Sequence, residues 1–471
     1  MINLLLLAPF IFAGLLNLPS QNKHKIAIAY SGLLLIIAGV NYYISCFIIQ
    51  TTNVSSQYFL TFSSDKLSSL FALLTTFLLF ITFFCGYKTI EKHIERYYIS
   101  FFVLTGLIIG FFLTTDIITF YVCFELSLIP MFLLISTFGS EKRMQAAFKL
   151  LLYTVFGSLF FLVSMIYIVL QADSTQISVI VATIPTFSIE IQQCLWIGIM
   201  IAFLIKIPVI PLHSWLPAAH VEAPMGGSVF LAGIIIKMGG YGILKIVLPA
   251  FPEVNLQYQN YMFIVGLVSI IYASLLVLKQ TDIKKIIAYS SIAHMGYVVV
   301  ALFCLNKNGV YAAILQMISH GFISGGLFIC IGLIYHQTHT REIGYYGDLA
   351  TSMPKFATLF SILTFANIGL PLTSGFVGEF VSIIAASQVN FVVSGIMCVG
   401  VVLSALYMLK LLKKLLFSNY GGTVILHDIN IFGVIGLAII CGFVILFGVL
   451  PELLLDSSEV AEIINTLYIK I

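Results

Sequence analysis

Apolar stretches of about 20 residues recur from one end of the chain to the other, the length a helix needs to cross a bilayer's hydrocarbon core. Few folds remain open to such a chain. In lipid every backbone N–H and C=O must be satisfied internally, so spanning segments are helices or closed barrels. A barrel would show short alternating segments instead of unbroken apolar runs. Of 471 residues, 60% are hydrophobic and 9% charged, which excludes a soluble or disordered chain. The reading is an all-α polytopic membrane protein forming one domain over 1–471. Its net charge of +3 is too small to suggest a nucleic-acid partner.

About fourteen spans are expected, at 2–19, 25–48, 66–87, 97–113, 115–137, 147–170, 192–220, 224–248, 260–279, 283–304, 308–335, 356–387, 391–412 and 431–450. They are called spans 1 to 14 below. The positive-inside rule tests that count. Loops after odd-numbered spans hold 16 of the 22 Lys and Arg, and the opposite loops and ends hold only Lys66, Lys245, Lys307 and Lys470. Both termini are therefore expected on the outer side. The acidic tail with Glu452, Asp456, Glu459 and Glu462 agrees. The N-terminus lacks a basic n-region and an A-x-A site, so it reads as a retained first span. With no transit peptide ahead of it, the chain suits insertion where it is made.

Those twenty lie at or near the surfaces and two basic residues remain deep, both in Phe203–Gly242, FLIKIPVIPLHSWLPAAHVEAPMGGSVFLAGIIIKMGGYG. A lysine at the centre of a membrane helix costs about 2.5–3.5 kcal/mol on insertion scales. Lys206 precedes Pro208 and Pro211, which interrupt span 7. Lys237 sits mid-span 8 beside Gly239, Gly240 and Gly242, which would admit close neighbours or water. Glu125, mid-span 5, is followed by Pro130, which frees a carbonyl nearby. Buried, it must be paired or protonated. A Glu125–Lys206 pair would hold the lysine charged, and parting them would release its proton. His294 in span 10 and His320 in span 11 match in depth and suit a proton relay. Glu379 lies in span 12, broken by Pro371, Gly375 and Gly378. His213, just past the span 7 break, is read as a link to water or as a structural residue. His220, Glu222, Asp282, Lys284 and Lys285 read as structural groups near the inner surface.

Spans 4–8 and 9–13 form two five-helix sets, each with an interrupted fourth member, the pattern that marks a transport site between inverted repeats. The expected divisions are a three-helix part at 1–96, inverted repeats at 97–250 and 259–414, and a last helix and tail at 430–471. Eight cysteines, at 46, 85, 123, 194, 304, 330, 398 and 441, are dispersed without a C-x-x-C. Neither a zinc site nor an iron–sulfur cluster is indicated.

FELSLIPM, LIKIPVIPLHSWLPAAHVEAPMGGSVFLAGIIIKMGGYG, QTDIKKIIAYSSIAHMGYV, MISHGFISGGLF and NIGLPLTSGFVGEF together resemble the antiporter-like subunits of respiratory complex I (NADH–ubiquinone oxidoreductase). HSWLPAAHVEAP points to their subunit 4 branch. Ala218 and Met225-Gly226 depart from its usual pattern, away from the deep polar positions. The resemblance implies a proton-translocating membrane-arm subunit of an NADH:ubiquinone reductase. Glu125 and Lys206 would be its ion pair and Lys237 its central lysine. His294 and His320 would link Lys237 to Glu379, the acid on the outlet side. It further implies neighbours resembling subunits 2 and 5, contact with lipid, and no cofactor or metal in this chain. NADH, FMN, iron–sulfur clusters and ubiquinone would belong to other subunits. The setting would be the mitochondrial inner membrane, with basic loops on the matrix side and termini facing the intermembrane space. Composition and the missing presequence fit an organelle-encoded chain. The rival readings are a subunit of an Mrp-type cation/proton antiporter and a spacer whose charges form static pairs.

Overall fold

The computed structural model describes residues 1–20, 22–46, 50–53, 60–419, 426–455, 461 and 464. The tail residues Asp456, Glu459, Glu462 and Lys470 lie outside them. Among the described residues, twelve helices are long and apolar enough to cross a membrane. They are spans 2–11, 13 and 14. Span 1 is a shorter helix, Ile2–Leu15. Span 12 is divided into Pro354–Ile368 and Ser374–Ser387. The chain is thus a multi-pass helical membrane protein on the expected plan.

Burial sorts the helices into a centre and a rim. Span 8 (Met225–Ala250) and span 11 (Lys307–Thr338) are wholly buried across their apolar windows, and span 10 (Ile283–Phe303) nearly so. Spans 2, 6, 13 and 14 bury only about a third of theirs. The rest forms the face a bundle shows to lipid or to a neighbour, where large apolar side chains need no cover. The deep charges of the sequence lie on or beside the three central helices.

Both expected breaks are present. Span 7 runs from Ile189 to Lys206, stops for eight residues, and resumes as Trp215–Glu222. Proline removes an N–H donor and clashes with the preceding turn, so Pro208 and Pro211 cannot continue the helix. The carbonyl left over at Ile205 accepts from Trp215 Nε1 at 2.9 Å, and Ile210 N donates to Ser269 Oγ at 3.0 Å. The first half of span 12 ends at Gly369, whose φ of 81° is left-handed and costs glycine nothing, whereas Gly375 and Gly378, expected to break the span, lie inside its second half.

Span 5 also kinks. Its two segments, Ile117–Leu126 and Leu128–Phe138, meet at Ser127 just after Glu125. Two features have no counterpart in the sequence reading. Gln50–Asn53 pairs antiparallel with Thr61–Ser64, and a short helix, Ile177–Thr183, lies between spans 6 and 7.

Candidate functional site

Span 8 carries the centre of the site. Its α-helix gives way to π-helical turns at Leu231–Ile235 and Ile243–Val247, on either side of Lys237. A π turn shifts the hydrogen-bond register and leaves a carbonyl to spare, and such turns cluster at functional positions. Here the Ala232 carbonyl, five residues back, accepts from Lys237 Nζ. The same nitrogen lies 2.8 Å from His320 Nδ1 in span 11. Lys237 is fully buried.

From His320 the row continues sideways. The His320 and His294 rings are 5.6 Å apart between centroids. His294 Nδ1 meets Glu379 Oε1 at 2.7 Å, in the range of a charge-assisted bond. All four side chains are 4% exposed or less. The order is therefore Lys237, His320, His294, Glu379, which the sequence reading of two linking histidines left open. Sequence gives each residue's depth but not which neighbour a helix turns it toward.

Between the histidines and Glu379 is a small polar chamber of about 10 Å³, lined also by Gln316, Ser319 and Asn367. It has room for about one water. Five buried atoms around it have no protein partner: His294 Nε2, His320 Nε2, Gln316 Oε1, Asn367 Oδ1 and Glu379 Oε2. Buried polar groups are otherwise almost always bonded, so a chamber of this kind suits a hydrated proton in transit. Gln316 and Asn367 were missed from sequence, although both are amides in the middle of apolar runs. The end of span 12's first half completes the chamber. A Cβ at Gly369 would come within 3.0 Å of Glu379 Oε2.

Lys206 ends the first half of span 7 and is fully buried. It lies in the last turn, the end of a helix that favours a positive charge. It lies 4.3 Å from the centroid of the Phe124 ring, a cation–π contact. Among the described residues, no hydrogen bond reaches Lys206 Nζ or Glu125 Oε1, and no ion pair within 4.0 Å joins them. The two interact only at longer range. Glu125 is half-buried on a face where Val122, Leu126 and Ile129 are exposed. The direct pair expected from sequence is thus open here.

The glycines after Lys237 admit neighbours, not water. A Cβ on Gly239 would come within 2.7 Å of the Phe203 carbonyl, and one on Gly242 within 2.5 Å of the Phe203 ring. Span 8 is thereby drawn against the end of span 7 that carries Lys206.

His213 is half-buried with Nδ1 unbonded, and its ring lies 6.1 Å from Tyr289. No hydrogen bond among the described residues joins it to either lysine. Of the other inner groups, Lys285 is exposed and Asp282 half-buried, as expected, while Glu222, Lys284 and His220 are deeper. Glu222 accepts from Ser140 Oγ at 2.9 Å and from the Lys142 N–H at 3.0 Å. Lys284, only 3% exposed, donates to the Ala223 carbonyl at 2.7 Å. His220 is fully buried. Lys245, assigned from sequence to the outer surface, is 7% exposed, donates to Tyr241 Oη at 3.3 Å and forms an ion pair with Asp65 at 3.6 Å. Lysines near span ends read as surface groups because the long side chain usually snorkels. These two turn inward because carbonyl, phenol and carboxylate partners await them.

A helical bundle with two interrupted spans beside a row of buried lysine, histidine and carboxylate is the arrangement of an ion-translocating membrane protein. Residues 114–406 match the family model described as NADH:quinone oxidoreductase/Mrp antiporter, transmembrane. NADH-quinone oxidoreductase subunit M of Rickettsia prowazekii (strain Madrid E) is 44% identical over 397 residues, covering 83% of this chain and 80% of its own. NADH-ubiquinone oxidoreductase chain 4 of Marchantia polymorpha is 42% identical over 399 residues, 84% of this chain and 80% of its own. Among solved structures, a chain of respiratory complex I from Thermus thermophilus with bound NADH matches with a TM-score of 0.89 at 28% identity, covering 99% of this chain and 100% of that one. The chain belongs to the NADH:quinone oxidoreductase/Mrp antiporter family of membrane subunits.

Proposed function

We propose that this chain is a proton-translocating membrane-arm subunit of a respiratory NADH:ubiquinone oxidoreductase. The observation that carries the reading is the continuous buried row from Lys237 through His320 and His294 to Glu379. Each imidazole can accept a proton on one nitrogen and give it up from the other. A proton on Lys237 Nζ has an acceptor at His320 Nδ1. A proton on His294 has one in Glu379. The chamber beside the two rings and Glu379 is where water completes the wire.

Lys206 and Glu125 are the control pair in this account. With Glu125 near, the positive charge is held at Lys206. With Glu125 withdrawn, as here, that charge is uncompensated, which favours moving a proton onward from it along the row. Redox energy released elsewhere drives the exchange through conformational and electrostatic coupling. In this reading NADH, FMN, iron–sulfur clusters and ubiquinone are held by other subunits. The partners are complex I subunits, above all neighbours resembling subunits 2 and 5, together with membrane lipid. The half-buried Glu125 and the exposed residues around it suit such a neighbour.

The location that fits is the mitochondrial inner membrane, with the basic loops in the matrix and both termini toward the intermembrane space. The basis is the lysine and arginine asymmetry and the likeness to a plant chain 4. Residues 97–250 and 259–414 act as inverted repeats, each supplying one broken helix. An Mrp-type antiporter subunit is the rival within the family, and identities above 40% to NADH oxidoreductase subunits over most of the chain favour the first reading. The test is Lys206→Ala or Glu125→Gln in the assembled complex, reconstituted in vesicles. NADH oxidation and coupled proton transfer should fall together while assembly survives. Full oxidation and pumping would support a spacer, and proton flux independent of NADH would support the antiporter.

A further inference from the structure

We propose that the inner ends of spans 1 to 4 bind an anionic phospholipid, its phosphate held by His24, Lys25 and Lys88 and its acyl chains lying on the exposed faces of spans 1 and 2. The inference rests on the membrane setting of the chain and on the basic side of its loops, not on the proton-translocating reading. Span 2 is where the two parts of the surface meet. Its Ala29, Leu33, Ile36 and Val40 are exposed and recur at helical spacing, so they form one apolar stripe. Lys25, four residues before Ala29, is exposed at the inner end of that stripe. On span 1, Leu4, Leu7, Ile11 and Leu15 are exposed at the same spacing. An apolar face alone would suit many neighbours. The charge at its inner end selects one.

The start of span 2 and the loop between spans 3 and 4 bring that charge together. Lys23 is already engaged, donating to the Leu16 carbonyl at 3.1 Å and paired with Glu95. Lys25, Lys88, Lys92 and Arg96 remain, all exposed, against the single carboxylate of Glu91. Among the described residues no ion pair within 4.0 Å engages any of these five. His24 is half-buried, with Nδ1 2.8 Å from Tyr98 Oη. With the phenol donating, Nε2 carries the imidazole N–H, and no hydrogen bond among the described residues uses it. The Tyr87 and Tyr98 rings stand edge-on to the imidazole, at 5.9 and 5.7 Å between centroids. Lys88 Nζ is 5.4 Å from the Tyr87 centroid and within electrostatic reach of His24. The positive-inside rule places lysines on this side of the bilayer. It does not require them to converge on a histidine N–H and two tyrosines at the end of an apolar stripe. Basic pockets between helices at the inner leaflet hold anionic headgroups, and tyrosine rings settle at headgroup depth. An acidic protein segment would meet the charges without needing the stripe. A phospholipid needs both.

The experiment uses the complete complex in phosphatidylcholine vesicles carrying a trace of photoactivatable phosphatidylglycerol or, in parallel, of photoactivatable phosphatidylcholine. After irradiation the labelled peptides are mapped. Phosphatidylglycerol should label spans 1 and 2 several-fold more than phosphatidylcholine does. Lys25→Gln with Lys88→Gln should lower that label about tenfold or more, and Lys25→Arg with Lys88→Arg should keep it. Lys413→Gln with Lys414→Gln, which removes two exposed lysines at the inner end of span 13, should leave it at the parental level. Equal labelling by the two lipids, or undiminished labelling in the first glutamine pair, overturns the site. So does an acidic protein segment found cross-linked to Lys25 in place of lipid. Should the glutamine pair fail to assemble, the parental complex decides through its preference between the two lipids. Pumping plays no part in this readout. Loss of the site leaves the proton reading standing, and a harmless Lys237→Met leaves the site standing.

Discussion

Adding one methyl group at Gly239 tests how closely spans 7 and 8 must approach. The new Cβ would lie 2.7 Å from the Phe203 carbonyl oxygen and from Ile207 Cγ1, and 3.2 Å from the Ile207 amide nitrogen. Ordinary contact begins near 3.4 Å, so the helices must part by about 0.7 Å, an overpacking strain of about 1–3 kcal/mol. Neither backbone atom can rotate away. Lys237 is two residues earlier on the same helix, so the displacement also disturbs its 2.8 Å contact with His320 on span 11. Gly240 is the control. A Cβ there would meet Met317 Sδ at 2.5 Å, but a thioether on an unbranched side chain can move aside, so the cost should be under about 1 kcal/mol. In the assembled complex, Gly239→Ala should lower both resistance to thermal inactivation and NADH-driven proton transfer several-fold, with Gly240→Ala near the parent. Equal effects, or a greater effect of Gly240→Ala, would refute the argument that backbone proximity holds the row in register.

Other perturbations separate transfer from support. Glu379→Gln keeps the shape of the acceptor beside His294 but not its charge. Exchanging a charged for a neutral hydrogen bond of this kind costs about 1 kcal/mol, and coupled proton transfer should fall about fivefold or more, read as vesicle acidification per NADH, with assembly unchanged. Lys245→Met leaves Asp65 facing the vacated site. It should destabilise the subunit by about 1–3 kcal/mol, seen as less assembled complex on native gels, while pumping per assembled complex is unchanged. Trp215→Phe removes the donor to the Ile205 carbonyl beside Lys206. It should cost about 1–2 kcal/mol, measured as faster thermal inactivation.

How far sequence reaches can be judged residue by residue. Spans are legible because length and apolarity alone decide whether a helix can cross a bilayer. Lys206, Lys237, His294, His320 and Glu379 are legible because polar groups stand out in apolar runs. The breaks at Pro208 and near Pro371 follow from the missing N–H and the local backbone. What was not legible depends on neighbours. The π turns around Lys237 are register shifts imposed by packing, and nothing in LAGII or ILKIV announces them. The order of the two histidines depends on how spans 10 and 11 are rotated. The inward turn of Lys245 and Lys284 depends on Asp65, Tyr241 and the Ala223 carbonyl, brought close only by the fold. His220 reads from sequence as an inner-surface residue by its place near the loop after span 7, whereas the resumed helix of span 7 carries it fully inside. The Glu125–Lys206 pair shows a further limit. Sequence can propose partners, but their separation depends on the state of the protein.

The central claim is that the buried row carries protons, and Lys237 is its first member. The most direct measurement is proton translocation per NADH oxidised by complex carrying Lys237→Met, reconstituted in vesicles and normalised to assembled protein. Removing the ammonium relieves a desolvation cost while leaving His320 Nδ1 and the Ala232 carbonyl without that donor, opposing effects of about 1–3 kcal/mol, so assembly should persist. The account predicts assembled complex whose NADH oxidation and pumping are both depressed about tenfold or more. Assembled Lys237→Met complex with parental turnover and parental pumping would contradict it.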